Sequence, residues 1–122
     1  MKPNWILLGA LFGATFVLHA AFGAHWLAER ADEQQMGWWE TGAFQHGVHA
    51  LAIVCFGLFR RTRPGSDTAG WLLLSGLLVF STTLYLMALG APHWLGAVTP
   101  IGGVLLVLGW LAFAQAARGG EE

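Results

Sequence analysis

The chain has 122 residues and a formal net charge of −1, with 56% hydrophobic and 11% charged residues. Soluble domains carry about 25% charged residues, so this composition excludes an ordinary water-soluble globule and predicts a membrane protein of one domain. With a net charge near zero and no basic block, the sequence also lacks the positive surface by which proteins bind nucleic acid.

Four apolar stretches of the sequence predict an all-α integral membrane protein with four transmembrane helices. Each stretch is close to the roughly 20 residues that an α-helix needs to cross the hydrocarbon core of a bilayer. Their approximate bounds are residues 5–27, 42–59, 70–91 and 95–117. The short connections between them favour an up-down-up-down four-helix bundle, which we expect to be a single domain of residues 1–122.

The first span carries His19 and His25 in its later half. It is longer than the roughly 7–15-residue apolar region of a secretory signal, so we expect it to stay as a permanent span. Gly9 and Gly13 place two small residues one turn apart, a pattern that lets helices pack closely in lipid. The polar connection that follows, Glu29–Glu40, is expected to form a short interfacial helix on the outer surface.

The second span contains the most polar stretch of any span, because Gln45, His46 and His49 lie within two turns. Gln45 and His49 are four residues apart and His46 and His49 are three apart, so they share one helix face. Ionisable groups at bilayer depth are costly, and they usually face a protein interior or a wet cavity and mark function. The single cysteine, Cys55, lies in the same apolar helix, and we interpret it as a small buried residue.

The third and fourth spans add hydroxyl groups at the same level. Ser81, Thr82 and Tyr85 lie in the outer half of the third span, and Thr99 lies near the start of the fourth. Ser81 and Thr82 are four and three residues before Tyr85, so each shares a helix face with it. Gly103, four residues after Thr99, leaves room beside that threonine.

The distribution of charge predicts the orientation of the spans. Five of the six basic residues lie at the amino terminus, in the second connection and in the carboxyl tail, at Lys2, Arg60, Arg61, Arg63 and Arg118. The first connection has one basic residue against four acidic ones. By the positive-inside rule, both termini lie in the cytoplasm, and the acidic connection faces outward from a bacterial inner membrane or into an organelle's lumenal side. Tryptophans near the span ends, including Trp5 and Trp39, fit aromatic belts at the two membrane surfaces.

When the polar residues are placed by depth, those from all four helices fall at one level near the outer surface. The set is His19, His25, Gln45, His46, His49, Ser81, Thr82, Tyr85 and Thr99. Because polar groups inside a bilayer gather away from lipid, we expect one outward-facing polar compartment. We expect Glu40, just before the second span, to reach His46 or His25.

Metal binding is the sharpest form of this hypothesis, although His-x-x-His alone is not a specific metal motif. Imidazole nitrogens bind zinc, copper, nickel and iron. The expected metal ligands are His25, His46, His49 and His19, with zinc or copper as the metal. The expected cofactor- or ligand-binding residues are Gln45, Ser81, Thr82, Tyr85 and Thr99. Haem held between His19 and His49 inside the bundle is a further option.

The usual signatures of enzymes are absent from the sequence. No pair of carboxylates lies within the spans, as acid–base catalysis by carboxylates would need. Ser81 does not lie in a nucleophile elbow, and no glycine-rich phosphate loop is present. We therefore favour a protein without enzymatic activity and leave an enzyme open as an alternative.

Three functions remain open from these patterns. The first is a small membrane protein whose outward-facing polar cluster binds a small ligand or a metal ion. The second is a structural or assembly subunit of a membrane complex, whose histidines only cross-link helices. The third is a haem-binding electron carrier or a membrane enzyme that uses the same residues. The expected partners are the lipid bilayer and either another copy of this chain or a subunit of a membrane complex.

Several segments of the chain resemble one family of small membrane proteins, called domain of unknown function 423. They occur in the family's order and are Gly23-Ala24-His25, Phe44–Leu51, Phe80–Tyr85, Thr99–Gly103 and Gly109-Trp110. The Thr99–Gly103 segment and the Gln45–Ala50 segment are the most specific of these. The resemblance implies a four-span integral membrane protein, with bacterial inner-membrane members and a mitochondrial relative in animals. It implies no established activity, substrate or cofactor.

Overall fold

A computed structural model describes residues 2–119, which form four long α-helices and two short 3-10 turns. The helices are α1 (Trp5–His25), α2 (Glu33–Thr62), α3 (Thr68–Ala88) and α4 (Thr99–Arg118), and the 3-10 turns are Leu27–Glu29 and His93–Ala97. All four helices are long and apolar enough to cross a membrane, and residues 2–119 contain no β-strand. The prediction of an all-α, four-span membrane protein is therefore confirmed.

Helix α2 begins earlier than the sequence predicted, at Glu33 rather than near Gly42. Its start is fixed by a capping box: the Asp32 carboxylate accepts from the Gln35 backbone N–H at 2.8 Å, and the Gln35 side chain accepts from the Asp32 N–H at 2.9 Å. The expected interfacial helix within Glu29–Glu40 is therefore wrong, because most of that segment forms the first turns of α2.

The two middle helices form the centre of the molecule. In the apolar 18-residue stretch of each candidate span, half of the residues are buried in α2 and in α3, against 11% in α1 and 22% in α4. The main helix–helix interfaces are α1 with α2, α2 with α3, and α3 with α4. Within residues 2–119, α1 and α4 form no comparable interface with each other, so they lie on opposite sides of the central pair and present most of their apolar surface to lipid.

Residues on the outer surface of the helices are apolar, as a bilayer requires. Leu18 of α1 is 68% exposed and Leu111 of α4 is 61% exposed, although both are large hydrophobic residues. Such exposure would favour aggregation in water, whereas lipid tails are as apolar as leucine. Cys55 is also exposed on α2, so the expectation that it is buried is wrong.

Two tryptophans that were expected in the aromatic belts are buried instead. Trp5 is 3% exposed and Trp39 is 4% exposed. Each ring fills the space that a glycine leaves open: a Cβ on Gly70 would lie 2.6 Å from a ring carbon of Trp5, and the ring of Trp39 occupies the corresponding space at Gly23. Their indole N–H groups bond within the protein, so these two residues hold helices together.

A hydrogen-bonded junction ties α1, α2 and α3 together at the basic end of the molecule. The indole N–H of Trp5 donates to Asp67 Oδ1 at 3.1 Å, and Arg60 Nε donates to the same oxygen at 3.0 Å. The Arg60 guanidinium also donates to the backbone carbonyls of Arg63 and Gly65. One arginine therefore donates hydrogen bonds both to a carboxylate and to backbone carbonyls of the turn that leads into α3.

The two glycines of the expected small-residue pair in α1 have different surroundings. A Cβ on Gly9 would lie 2.6 Å from Val54 Cγ2, 2.7 Å from Val54 N and 2.9 Å from Ala50 O. A Cβ on Gly13 would have no neighbouring atom within 4 Å. Only Gly9 therefore allows the close approach of α1 to the α2 backbone.

We expect Gly9→Ala to destabilise the protein and Gly13→Ala not to. The added methyl at Gly9 would force α1 away from α2, and overpacking of this kind costs about 1–3 kcal/mol. At Gly13 the methyl meets open space, and alanine favours a helix over glycine by about 0.5–1 kcal/mol. The measurement is the free energy of unfolding in detergent, followed by circular dichroism. Equal losses in both variants would contradict this α1–α2 packing.

Candidate functional site

His46 joins three helices through its imidazole ring. It is 4% exposed on α2. Its Nδ1 lies 2.8 Å from the Tyr85 hydroxyl of α3, and its Nε2 lies 2.9 Å from the Phe12 carbonyl and 3.1 Å from the Thr15 hydroxyl of α1. Because a carbonyl only accepts, we assign the proton to Nε2, and Nδ1 then accepts from Tyr85. Both nitrogens are therefore used in contacts between helices.

His19 extends this arrangement as part of α1. Its Nδ1 donates to the Thr15 carbonyl at 2.6 Å, and its ring stacks on Tyr85 with centroids 4.6 Å apart. The ring also stacks on Trp39, whose indole N–H donates to the His19 carbonyl at 2.8 Å. We call Thr15, His19, Trp39, His46 and Tyr85 the His46 cluster. It brings together His19, His46 and Tyr85 from the set that the sequence predicted.

Aromatic side chains of α1 form the apolar side of the His46 cluster. The rings of Phe12 and Phe16 meet the His46 ring edge to face, with centroids 6.1 Å and 6.0 Å away. Gly47 makes room for this packing, because a Cβ there would lie 2.7 Å from a ring carbon of Phe16. The glycine beside the histidine in the sequence therefore sets how closely α1 covers the imidazole.

His49 lies apart from the His46 cluster and faces α4. Its Nδ1 donates to the Gln45 carbonyl at 2.9 Å, and its Nε2 accepts from the Trp110 indole N–H at 3.0 Å. It is 4% exposed, like His46, and both of its nitrogens are used. Gln45 takes part through its backbone carbonyl, not through the side chain that the sequence suggested.

Hydroxyl groups form two further contacts between helices. Ser81 donates to the Gly42 carbonyl at 2.9 Å and links α3 to α2. Thr99 lies 2.7 Å from the hydroxyl of Thr83, which links α4 to α3. The Thr82 side chain is exposed and forms no hydrogen bond with another described residue.

Sequence reasoning missed Thr83 because it paired Thr82 with Tyr85 by spacing. The residue that could have indicated the contact of Thr83 with α4 is Gly76, which lies seven residues earlier on the same face of α3. A Cβ on Gly76 would lie 2.8 Å from the Leu106 backbone nitrogen, so this face of α3 contacts α4. Thr83 follows Gly76 by two helical turns and therefore also meets α4.

The structure does not bring all nine predicted residues into one polar compartment. His19, His46, Ser81, Thr82 and Tyr85 line one cavity, whereas the His49–Trp110 and Thr83–Thr99 contacts lie apart from it. Residue number gives the depth of a side chain along its helix. The neighbour that the side chain meets also depends on the direction in which it points around the helix axis. Side chains three residues apart point roughly 60° apart on a helix. Because α2 is central, this angle turns His46 toward α1 and α3 and His49 toward α4.

Only two of the four proposed metal ligands are brought together, since the ring centroids of His19 and His46 are 5.3 Å apart. The His25 side chain is exposed and forms no hydrogen bond with a described residue, and Glu40 forms no ion pair with a histidine among residues 2–119. Within the same residues, no three His, Cys, Asp or Glu side chains are arranged to hold a metal ion. To bind a metal, His46 would have to give up a bond to another helix, and His49 would have to give up its bond to Trp110 or its bond to the Gln45 carbonyl. Haem between His19 and His49 meets the same obstacle, because His49 faces α4.

A cavity of about 210 Å³ opens beside the His46 cluster, between α1 and α3. Its apolar lining is Phe12, Leu77 and Leu78, and its polar lining is Thr15, His19, His46, Ser81, Thr82 and Tyr85. Thr15, Leu78 and Thr82 are exposed at its rim, so the cavity opens sideways toward lipid. No charged Lys, Arg, Asp or Glu side chain lines it.

Comparison with known proteins identifies the family. A family profile described as "Protein of unknown function (DUF423)" matches residues 19–103, which include His46, His49, Tyr85 and Thr99. The chain belongs to this family. The family resemblance of the sequence segments is therefore confirmed.

Relatives in the family are similar over most of their length. The chain is 41% identical to a UPF0382 membrane protein of Staphylococcus epidermidis over 113 residues, covering 92% of this chain and 93% of the relative. It is 37% identical to the UPF0382 membrane protein YwdK of Bacillus subtilis over 116 residues, covering 93% and 94%. No solved structure matches the chain. The chain therefore has bacterial relatives that are named membrane proteins, in a family of unknown function.

We expect Tyr85→Phe and Trp110→Phe to destabilise the protein independently. Each removes one donor to a buried histidine, and hydrogen bonds inside membrane proteins contribute about 0.6 kcal/mol on average and up to about 1.7 kcal/mol. Because the two contacts are separate, the double variant should lose the sum of the two single losses within about 0.5 kcal/mol. Unfolding in detergent measures all three losses, with Trp94→Phe, an exposed ring, as the control. Strong non-additivity would indicate one connected network instead.

Proposed function

We propose that this protein binds a small, uncharged amphiphile from the bilayer in the cavity between α1 and α3, without catalysing a reaction. The observation that carries the proposal is the composition of the cavity lining. His19 and Thr82 both line it, and neither His19 Nε2 nor the Thr82 hydroxyl bonds to another described residue. They lie beside Leu77 and Leu78, so the site offers hydrogen bonding next to an apolar surface.

The hydrogen-bonding groups favour a ligand that carries a hydroxyl group. His19 donates through Nδ1 to a backbone carbonyl, which leaves Nε2 as an acceptor. The Thr82 hydroxyl is a donor, so a ligand hydroxyl can donate to one residue and accept from the other. A charged ligand is disfavoured, because no charged group lines the cavity and burying an unpaired charge is costly.

The size of the cavity favours a small headgroup with its chain left in lipid. A volume of 210 Å³ corresponds to about seven water molecules, at roughly 30 Å³ each in the liquid. The exposed rim at Thr15, Leu78 and Thr82 lets an attached chain leave toward the bilayer. Long-chain alcohols and glycerides with a free hydroxyl therefore fit the proposal.

We expect 1-dodecanol to raise the melting temperature of the detergent-purified protein more than dodecane does. Leu78→Trp places a larger side chain at the rim without removing a hydrogen-bonding group, so it should abolish the difference. Leu86→Trp is the matched control, because Leu86 is similarly exposed on α3 but does not line the cavity. Equal shifts with the alcohol and the alkane would refute the proposal, as would a Leu78→Trp variant that behaves like the control.

A structural or assembly subunit is the second candidate function. It is favoured by the hydrogen bonds of His46 and His49, because both nitrogens of His46 and the Nε2 of His49 bond to other helices. On this alternative the histidines only cross-link the bundle, and the partner is another copy of the chain or a subunit of a membrane complex. Cross-linking in native membranes that recovers a fixed companion, together with no response to 1-dodecanol, would support it.

We further propose that the protein lies in the bacterial inner membrane with both termini in the cytoplasm. The support is the unequal distribution of charge between the two ends of the helices. Arg60, Arg61 and Arg63 lie at the end that also carries Lys2, whereas Glu29 and Glu33 lie at the opposite end. Basic connections stay on the cytoplasmic side of bacterial membranes.

Cysteine labelling in intact cells tests this orientation. In a Cys55→Ala background, Gln34→Cys at the start of α2 should react with a membrane-impermeant maleimide, because that end faces outward. Ser66→Cys in the exposed turn before α3 should react only after the membrane is opened. The reverse pattern would show that the termini face outward.

A further inference from the structure

A second cavity, of about 360 Å³, lies at the basic end of the molecule. It is bordered by the start of α1, the end of α2 and the turn before α3. The polar lining consists of Lys2, Asn4, Arg60, Arg61 and Asp67. Three cationic side chains therefore surround one carboxylate.

Arg60 and Asp67 neutralise each other. Arg60 Nε lies 3.0 Å from Asp67 Oδ1, and the Trp5 indole donates to the same oxygen. Desolvation alone would raise the pKa of Asp67, but the hydrogen bonds from Trp5 and Arg60 and the charges of Arg60 and Lys2 hold that pKa below its usual value. Asp67 therefore stays ionised, and the pair adds no net charge to the cavity.

Of the three cations that line the cavity, Lys2 and Arg61 form no side-chain hydrogen bond or ion pair with another residue among residues 2–119. Both are exposed. The lining thus carries a net charge of +2, from three cations and one carboxylate. This charge is suited to an anion that two cationic groups contact together.

The position of the cavity places it at the level of lipid headgroups. Trp71, beside the buried Trp5 with ring centroids 5.0 Å apart, is 53% exposed, as expected for a tryptophan at the membrane surface. The lining residue Ile6 is followed in α1 by the exposed Leu7. An acyl chain attached to an anion in the cavity therefore has an apolar surface to follow toward the bilayer core.

We propose that this cavity binds the phosphate of an anionic phospholipid, with Lys2 and Arg61 contacting the phosphate oxygens. Basic pockets between transmembrane helices bind lipid headgroups in this way. A free phosphate ion carries the same chemistry, but it would not use the apolar surface at Ile6 and Leu7. The apolar surface therefore favours the lipid.

The test is a titration of the full chain, purified in a neutral detergent, with dioleoyl-phosphatidylglycerol, dioleoyl-phosphatidylcholine or inorganic phosphate. Thermal unfolding reports binding. We expect saturable stabilisation by phosphatidylglycerol, little effect of phosphatidylcholine, and no effect of inorganic phosphate at the same concentrations. Stabilisation by inorganic phosphate as strong as that by phosphatidylglycerol would overturn the assignment to a lipid.

Single charge removals locate the site. Lys2→Gln and Arg61→Gln should each weaken the apparent affinity for phosphatidylglycerol about fivefold. Arg118→Gln is the matched control, because it removes one exposed positive charge at the same end but does not line the cavity, and it should change the affinity less than twofold. Equal weakening by all three substitutions would indicate diffuse attraction to the surface and overturn the proposed site. Neither Lys2 nor Arg61 bonds to a described residue, so both variants are expected to fold.

Discussion

The absence of water in the bilayer core is the constraint on which this structure depends. Every buried polar group there must find its hydrogen-bond partner within the protein. His46 meets this requirement with one nitrogen on α1 and the other on Tyr85 of α3, so a single ring specifies how three helices are placed. No buried side-chain nitrogen or oxygen among residues 2–119 lacks a partner. The polar side chains are few, but together they determine which helix faces which.

Much of the fold could be predicted from the sequence, because length and apolar composition alone mark a membrane span. The depth of His46, His49, Tyr85 and Thr99 was also predicted to be similar, since depth follows from residue number along a helix. The neighbour that each side chain meets could not be predicted in this way. That neighbour depends on how the helices pack around one another. The spacing of residues within one helix carries no information about this packing. His49 shows the difference, because it shares a helix face with His46 and yet bonds to α4.

Glycines explain part of what the spacing could not show. Gly9 lets α1 approach the α2 backbone, whereas Gly13, one turn later, touches nothing. Gly23 and Gly70 each leave a space that a tryptophan ring fills, which is why Trp39 and Trp5 are buried within the protein rather than exposed on its surface. A glycine alone is a weak signal in a sequence. A glycine in one helix and a large aromatic residue at the same depth in a neighbouring helix form a pair, and the pair locates a contact.

The position of α1 and α4 on opposite sides of the central helices has a consequence for biosynthesis. A chain is made from its amino terminus, so we expect α1 and α2 to enter the bilayer as a hairpin before α3 and α4 do. Such a hairpin contains the Phe12 carbonyl that bonds to His46 Nε2 in the complete structure, but it does not contain the donor for His46 Nδ1. The hydroxyl of Tyr85 arrives only with the second hairpin. A half-satisfied imidazole in the nascent protein thus gives the late hairpin a defined docking point on the early one.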